Sequence, residues 1–205
     1  MYRPPAFAVD DKGALLAFLR EHPFAMLAAV VDGKVQLAYA PVVTGDDGTA
    51  RFHLARVNPM AALADGAPVR LSFLGAHAYV SPDWYRTEGM VPTWNYSAVE
   101  GEGAVRRLDA AALRRLLADL SAAEEVHLLP KTPWTVDKVP AAKMATLMNA
   151  IVGFSLRLET LEGKFKLSQN IKPEDFAGAV QGLDARGDAA NAAVAKAMRK
   201  APRPD

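Results

Sequence analysis

Apolar residues recur along this chain in two rhythms, and the places where one gives way to the other divide it into elements. Leu15, Leu16 and Leu19 fall at helical spacing before His22-Pro23, which predicts a helix over residues 11–21 with Asp10 as its N-cap. Phe24–Val31 and Lys34–Val43 are strand-like runs on either side of Asp32-Gly33. That dipeptide suits a two-residue hairpin turn, because both central residues must take positive φ. A Gly- and Asp-rich turn over Gly45–Gly48 leads into Thr49–Ala55, where Arg51 and His53 alternate with Phe52 and Leu54 and extend the strands into a meander. Asn58-Pro59 caps and opens a short helix reaching Ala64.

Residues 68–75 and 78–81 read as strands, and so do residues 95–106, with Gly101 and Gly103 as a bend or bulge. Asp109 caps an amphipathic helix whose core stripe is Leu113, Leu116, Leu117 and Leu120. Pro130, Pro133 and Pro140 mark an ordered linker, and residues 141–149 look helical. Phe154–Glu159 and Lys164–Asn170 alternate as strands around a turn at Glu162-Gly163. Pro173 with Glu174 and Asp175 opens another helix, and Asp188 caps a last, alanine-rich one. Short strands at hairpin spacing with inserted and appended helices predict a mainly β chain built on a small antiparallel barrel.

Composition narrows what such a chain does. Of 205 residues 51% are hydrophobic, and 24 Lys and Arg against 23 Asp and Glu leave a net charge of +1. This is not the electrostatic footprint of a dedicated phosphate-backbone binder, and no basic helix pair stands ready as a reading head, so direct DNA binding is unsupported. The absence of cysteine excludes disulfides, thiolate nucleophiles and Cys-based metal sites, and makes a cytoplasmic setting the expectation. The first twelve residues lack a signal-peptide pattern. The longest apolar run, Phe24–Val31, is far short of the ~20 residues of a membrane span.

Candidate chemistry concentrates in two aromatic runs, Tyr79–Tyr85 and Val91–Tyr96. They hold Tyr79, Trp84, Tyr85, Trp94 and Tyr96 interleaved with Ser81, Asp83, Thr93 and Asn95. Flat rings with short hydrogen-bonding groups suit a planar heterocycle, and they equally suit an aromatic mini-core under a loop. Lys164, Lys166 and Ser168 alternate along one predicted strand, so they share a face that is either a solvated surface or a lining for an anion. His22, His53, His77 and His127 show no metal-ligand spacing, and no metal site is predicted. Nucleophile elbows, P-loops and Cys-His pairs are missing, so hydrolysis, phosphoryl transfer and thiol chemistry lack candidates.

Five segments carry a resemblance: Met1–Phe7, His53–Pro59, Phe73–Tyr85, Val91–Tyr96 and Glu162–Asn170. On these the chain resembles the PaiB-type FMN-binding negative transcriptional regulators. The resemblance implies a six-stranded antiparallel FMN-binding split β-barrel over residues 1–170, with residues 171–205 as a helical extension packed on it. It implies a homodimer with flavin sites near the interface, and a role in repression exerted through flavin or redox sensing. Two alternatives stand beside it on the same scaffold: an FMN-dependent oxidoreductase using a nicotinamide donor, and a haem-binding or haem-degrading protein. With FMN as cofactor, Arg56, Asn58, Ser81, Lys164, Lys166 and Ser168 are the candidates for its phosphate. Tyr79, Trp84, Tyr85 and Trp94 offer an apolar wall for the ring system, Thr93, Asn95 and Gln169 offer polar contacts, and His53 falls inside a family motif.

Overall fold

A computed structural model describes residues 1–202. Within it the chain divides into two compact units. The first comprises Met1–Phe18, Leu74–Glu100 and Glu162–Asp205, and the second Leu19–Phe73 and Gly101–Leu161. The expected boundary after residue 170 falls inside the first unit, whose helical end is grouped with the aromatic runs.

The second unit is built on a hairpin of β2 (Phe24–Val31) and β3 (Lys34–Pro41), in full register from Phe24 opposite Pro41 to Val31 opposite Lys34. Asp32 at φ 50° and Gly33 at φ 72° form the turn, as the dipeptide requires. Strand order runs β3-β2-β6-β7-β8-β5-β4, where β4 is Val43–Thr44, β5 Thr49–Ala55, β6 Pro68–Val80, β7 Thr93–Arg107 and β8 Ile151–Arg157. The expected meander is therefore interrupted, because β5 pairs with β8 along its whole length rather than with β3. That pairing sets Phe52 opposite Phe154, their rings stacked at 5.5 Å and fully buried. Helix α2 (Ala110–Glu125) buries Leu113 and Leu116, and the Asp109 carboxylate accepts from Ala112 N at 2.7 Å as predicted. Helix α3 (Ala141–Asn149) buries Met144. A Cβ at Gly103 would overlap the Arg157 carbonyl, so the glycine admits a close backbone approach.

In the first unit β9 (Thr160–Lys166) pairs with the short β1 (Ala8–Val9) and with β7. The predicted turn at Glu162-Gly163 is a piece of this strand, with Gly163 opposite Val9. Helix α1 (Lys12–Glu21) is capped by Asp11, which accepts from Ala14 N at 2.6 Å, while Asp10 pairs with Arg3. Helices α4 (Pro173–Ala185) and α5 (Ala189–Lys200) close over a core of Ala78, Val80, Leu167, Leu183, Val194 and Met198.

Nine strands stand among the described residues against six expected, and β1 and β4 have only two residues each. Strand β6 changes phase along its length. Val69, Leu71 and Phe73 point inward, then Leu74 is 54% exposed, and inward positions resume at Ala78 and Val80. His77 and Tyr79 are thereby outward.

Candidate functional site

The chemistry gathers on the outward side of the sheet in the first unit. Strand β7 alternates so that Asn95 and Ser97 are buried while Trp94 is 51% exposed and Tyr96 half-buried. The Trp94 indole lies nearly parallel to the His77 ring, at 6.1 Å and 26°, and meets Tyr79 edge-on at 6.3 Å. These geometries match the preferences set by ring quadrupoles.

On β9, Lys164 and Lys166 share one face, as the alternation predicts, while Phe165 between them packs against the core cluster. The Lys166 ammonium donates to the Thr93 hydroxyl and to the Trp94 carbonyl at 3.0 Å. Burial, and then the neighbouring Lys164 charge, lower its pKa. The Lys164 ammonium sits over two phenol rings, 5.2 Å from the centroid of Tyr2 and 5.5 Å from that of Tyr96. Two fixed cations thus adjoin a row of outward rings.

Ser168 does not continue this face. Strand β9 ends at Lys166, and Ser168 takes φ 61°, so the period of two breaks and the side chain turns inward. It is 4% exposed and exchanges hydrogen bonds with fully buried Asn95: Asn95 Nδ2 donates to Ser168 Oγ at 2.9 Å, and Ser168 Oγ donates to Asn95 Oδ1 at 3.1 Å. Asn95 Nδ2 also reaches Met198 Sδ at 3.5 Å. Gln169, 6% exposed, accepts from Leu167 N and donates to the Phe165 carbonyl. These three polar groups, expected to face a ligand, are turned inward instead: Asn95 and Ser168 tie β7 to the segment after β9, and Gln169 closes a local turn of that segment. Burial pushes the Tyr85 hydroxyl up in pKa, against a hydrogen bond with Ser168 that pulls it down.

The first aromatic run is seated on α4. A Cβ at Gly178 would overlap the Trp84 carbonyl, and one at Gly182 would overlap the Trp84 indole, so two glycines one turn apart form the bed of that residue. Buried Asp175 anchors the residues just past Tyr85. Its carboxylate accepts from Arg86 N at 2.7 Å, Thr87 N at 2.9 Å and Thr87 Oγ1 at 2.8 Å. Ser81 caps the turn Pro82–Trp84 by accepting from Asp83 N at 3.3 Å. Trp84 and Trp94 accordingly meet different surroundings, one a helix surface and the other an open sheet face.

His53, Arg56 and Asn58 belong to the second unit. Arg56 holds the chain after α3 by donating to the carbonyls of Asn149 at 2.6 Å and Ile151 at 3.0 Å. Asn58 caps the turn Pro59–Ala62 by accepting from Met60 N at 2.9 Å. His53 lies opposite Gly153, and its buried Nδ1 has no hydrogen-bond partner among the described residues. Burial lowers its pKa. A separate groove of about 490 Å³ in this unit, bordered by Val139, Met144 and Met148, contains no predicted site residue.

Sequence reasoning placed His77, like His53, inside a family-like motif without making it a site residue, and gave no site role to Tyr2, Tyr96 or Asp175. Tyr96 was recoverable, since period-2 alternation from Trp94 places it on the same face. Asp175 gave no signal beyond that of an acid in a helix's first turn. Among the described residues no group of His, Asp or Glu could hold a metal ion, and no helix is long and apolar enough to cross a membrane.

Comparison with known proteins gives this arrangement a context. The family model described as "Putative FMN-binding domain" matches residues 1–160. The chain is similar to the protease synthase and sporulation protein PAI 2 of Bacillus subtilis, at 29% identity over 89% of each chain. It is also similar to a protein of Aspergillus fumigatus, at 29% identity over 98% of this chain and 97% of the other. Among solved structures, the FAD and heme binding protein of Mycobacterium smegmatis superposes with a TM-score of 0.59 at 19% identity, covering 83% of this chain and 78% of that one. The flavocytochrome Anf3 of Azotobacter vinelandii gives a TM-score of 0.58 at 17% identity, over 83% and 75%. These two likenesses show a shared antiparallel, split-barrel type of fold. With most of its length matched by the family model, the chain belongs to the FMN-binding domain family, whose cofactor is FMN.

Proposed function

We propose that this protein is a flavin-dependent regulator of the PaiB type, whose output follows the occupancy or redox state of FMN rather than the reading of DNA bases by a helix. The observation that carries the reading is the outward face of Trp94, Tyr79 and Tyr96 beside the immobilised ammonium groups of Lys164 and Lys166. FMN asks for a flat apolar floor and for cations near its phosphate, and this donor set fits both requirements. Trp94 supplies the floor, with His77 and Tyr79 fixing its tilt. Lys166 presents its ammonium to an anion while two acceptors hold it in place, and Lys164 adds a second charge without needing a carboxylate to position it. Trp84 and Tyr85 act from behind, as packing that keeps the aromatic runs in place. When bound, FMN supplies reversible electron transfer. The similarity to PAI 2 supports the regulatory side of the proposal.

The test is titration with FMN, followed by the flavin's visible spectrum and the quenching of its fluorescence, and then a reporter or mobility-shift assay with oxidised and reduced protein. Saturable binding with an output that differs between the two redox states is expected. Absence of binding overturns the proposal, and binding without any redox-dependent output removes its regulatory half. The exposure of Trp94, 51%, favours one alternative, because flavin on an open face is within reach of a nicotinamide donor. Steady NADH or NADPH oxidation by the loaded protein would shift the reading to an oxidoreductase.

A further inference from the structure

Strand β9 carries Glu162, Lys164 and Lys166 at alternate positions, so one acid and two cations share its outward face. On the adjoining β7, Glu100 falls in the same alternation as Trp94 and Tyr96. The two strands match in order. Lys166 lies by Trp94, Lys164 by Tyr96, and Glu162 by Glu100, since the Met1 amino group reaches those last two carboxylates at 2.9 and 3.6 Å. Rings and ammonium groups thus give way to carboxylates along one face. Residues two apart on a strand face stand about 7 Å from each other, close enough for long side chains to pair. A Glu162 turned toward Lys164 would neutralise that ammonium group, and one left bare beside it would repel a phosphate.

The N-terminal segment prevents both. Pairing of Ala8 with Lys164 and of Val9 with Gly163 brings it alongside β9. The Arg3 guanidinium lies between two acids, donating to Asp10 at 2.6 Å and standing 3.6 Å from Glu162. A hydrogen bond to the Val9 carbonyl at 3.4 Å helps to hold it there. Glu162 is therefore engaged from two directions, by Arg3 at one carboxylate oxygen and by the Met1 amino group at the other. The same segment lays the Tyr2 ring over Lys164, whose ammonium group then faces Tyr2 and Tyr96 instead of a carboxylate. We propose that Arg3 is a positioning residue of this anion site, a role that rests on the flavin reading of the face. By engaging Glu162 it keeps the Lys164 charge available to the phosphate of the ligand. Arg3 acts through Glu162, so the two residues are coupled.

Equilibrium titration of the full chain with FMN, and with riboflavin, which has the same ring and no phosphate, tests that coupling. Arg3→Gln should weaken FMN about tenfold, the effect of one unit charge about 7 Å away at intermediate dielectric, and leave riboflavin within about twofold. Arg3→Lys should stay near the native affinity, because the charge is what Glu162 requires. Adding Glu162→Gln to Arg3→Gln should bring FMN affinity back to within about threefold of native, an outcome that lost packing at Arg3 would not produce. Circular dichroism on each variant separates loss of binding from loss of fold. Native affinity in Arg3→Gln, equal losses for FMN and riboflavin, or no recovery in the double variant would each overturn the role of Arg3 while the flavin reading stood. A native chain that binds no FMN would overturn both.

Discussion

The outward face of the first unit and the outward face of the hairpin both expose large apolar side chains, yet their chemistry differs. Beside the rings of His77, Tyr79, Trp94 and Tyr96 stand two cations, Lys164 over the Tyr96 ring and Lys166 on the Trp94 carbonyl, each held by a ring face or by hydrogen bonds. Along Phe24, Val30, Val35, Leu37 and Tyr39 no charge intervenes, and large side chains stand where solvent would select polar ones. A small anionic aromatic molecule needs the first kind of surface, since ring contact alone leaves its charge uncompensated. A second protein surface of like character needs the second, where uniform apolarity and shape do the work. Exposure alone would have placed the two faces in one class, and the spacing of polar groups between the rings separates them.

The largest expected effect tests that separation directly. Replacing Lys164 and Lys166 together by alanine should weaken FMN binding by about 3 kcal/mol, or more than a hundredfold, and leave the sedimentation of the protein unchanged. Affinity within a few-fold of the native value would show that this face does not hold the phosphate.

Next in size is the seat of the first aromatic run. Gly182→Ala drives a methyl group into the Trp84 indole and should cost about 2 kcal/mol of stability, with a red shift of tryptophan emission as the ring leaves its bed. Denaturant unfolding monitored by fluorescence reads both, and an unshifted native spectrum would mean that the helix moves instead of the ring.

A smaller effect is expected from Asp175. Hydrogen bonds from Thr87 N, the Thr87 hydroxyl and Arg86 N hold its carboxylate below the ordinary aspartate range, against the opposing effect of burial. A carboxylate depressed in the folded state stabilises it at neutral pH, and that contribution is lost as pH falls through the folded value. Asp175→Ala should therefore lower the melting temperature at pH 7 more than at acid pH. Asp175→Asn should retain most of the native stability, since its amide oxygen still accepts both backbone N–H groups while its NH2 donates to the Thr87 hydroxyl. Equal losses in the two variants would argue against this account of the contact.

The smallest effect separates the units by pH. Burial lowers the His53 pKa, so the unfolded chain takes up that proton first. Stability from this source is complete above the ordinary histidine range and declines as pH falls through it. His53→Gln should flatten the decline between pH 7 and about 5 without altering FMN affinity measured at pH 8. A slope identical to that of the native protein would show His53 protonated without penalty.

How much of the fold and the site was legible in the sequence depends on the range of the interactions. Asp32-Gly33 announced its hairpin because the turn is a local matter of φ, and Asp109 and Asp188 announced their helices because a cap reaches only three residues. The partnership of β5 with β8 was not legible, since nothing in residues 49–55 names a partner a hundred positions later. At the candidate site, period-2 reasoning placed Lys164 and Lys166 on one face correctly and failed at Ser168, where positive φ ended the alternation. Asn95 and Gln169 carried the amide groups that ligand contacts use, but burial turned those groups to the interior. Gly178 and Gly182 lie within a helix and are the bed of an indole, which becomes visible only with Trp84 in place.

The phase change in β6 carries one more implication. Because inward residues are odd-numbered up to Phe73 and even-numbered from Ala78, the strand shifts its phase by one position between Leu74 and His77. Deleting a single residue at Gly75 or Ala76 would set Ala78 four positions from Phe73, the spacing of one face, so that Ala78 and Val80 stay inward and the imidazole of His77 and the phenol of Tyr79 stay outward. A gap of one at that point in a related sequence would thus be compatible with this aromatic surface.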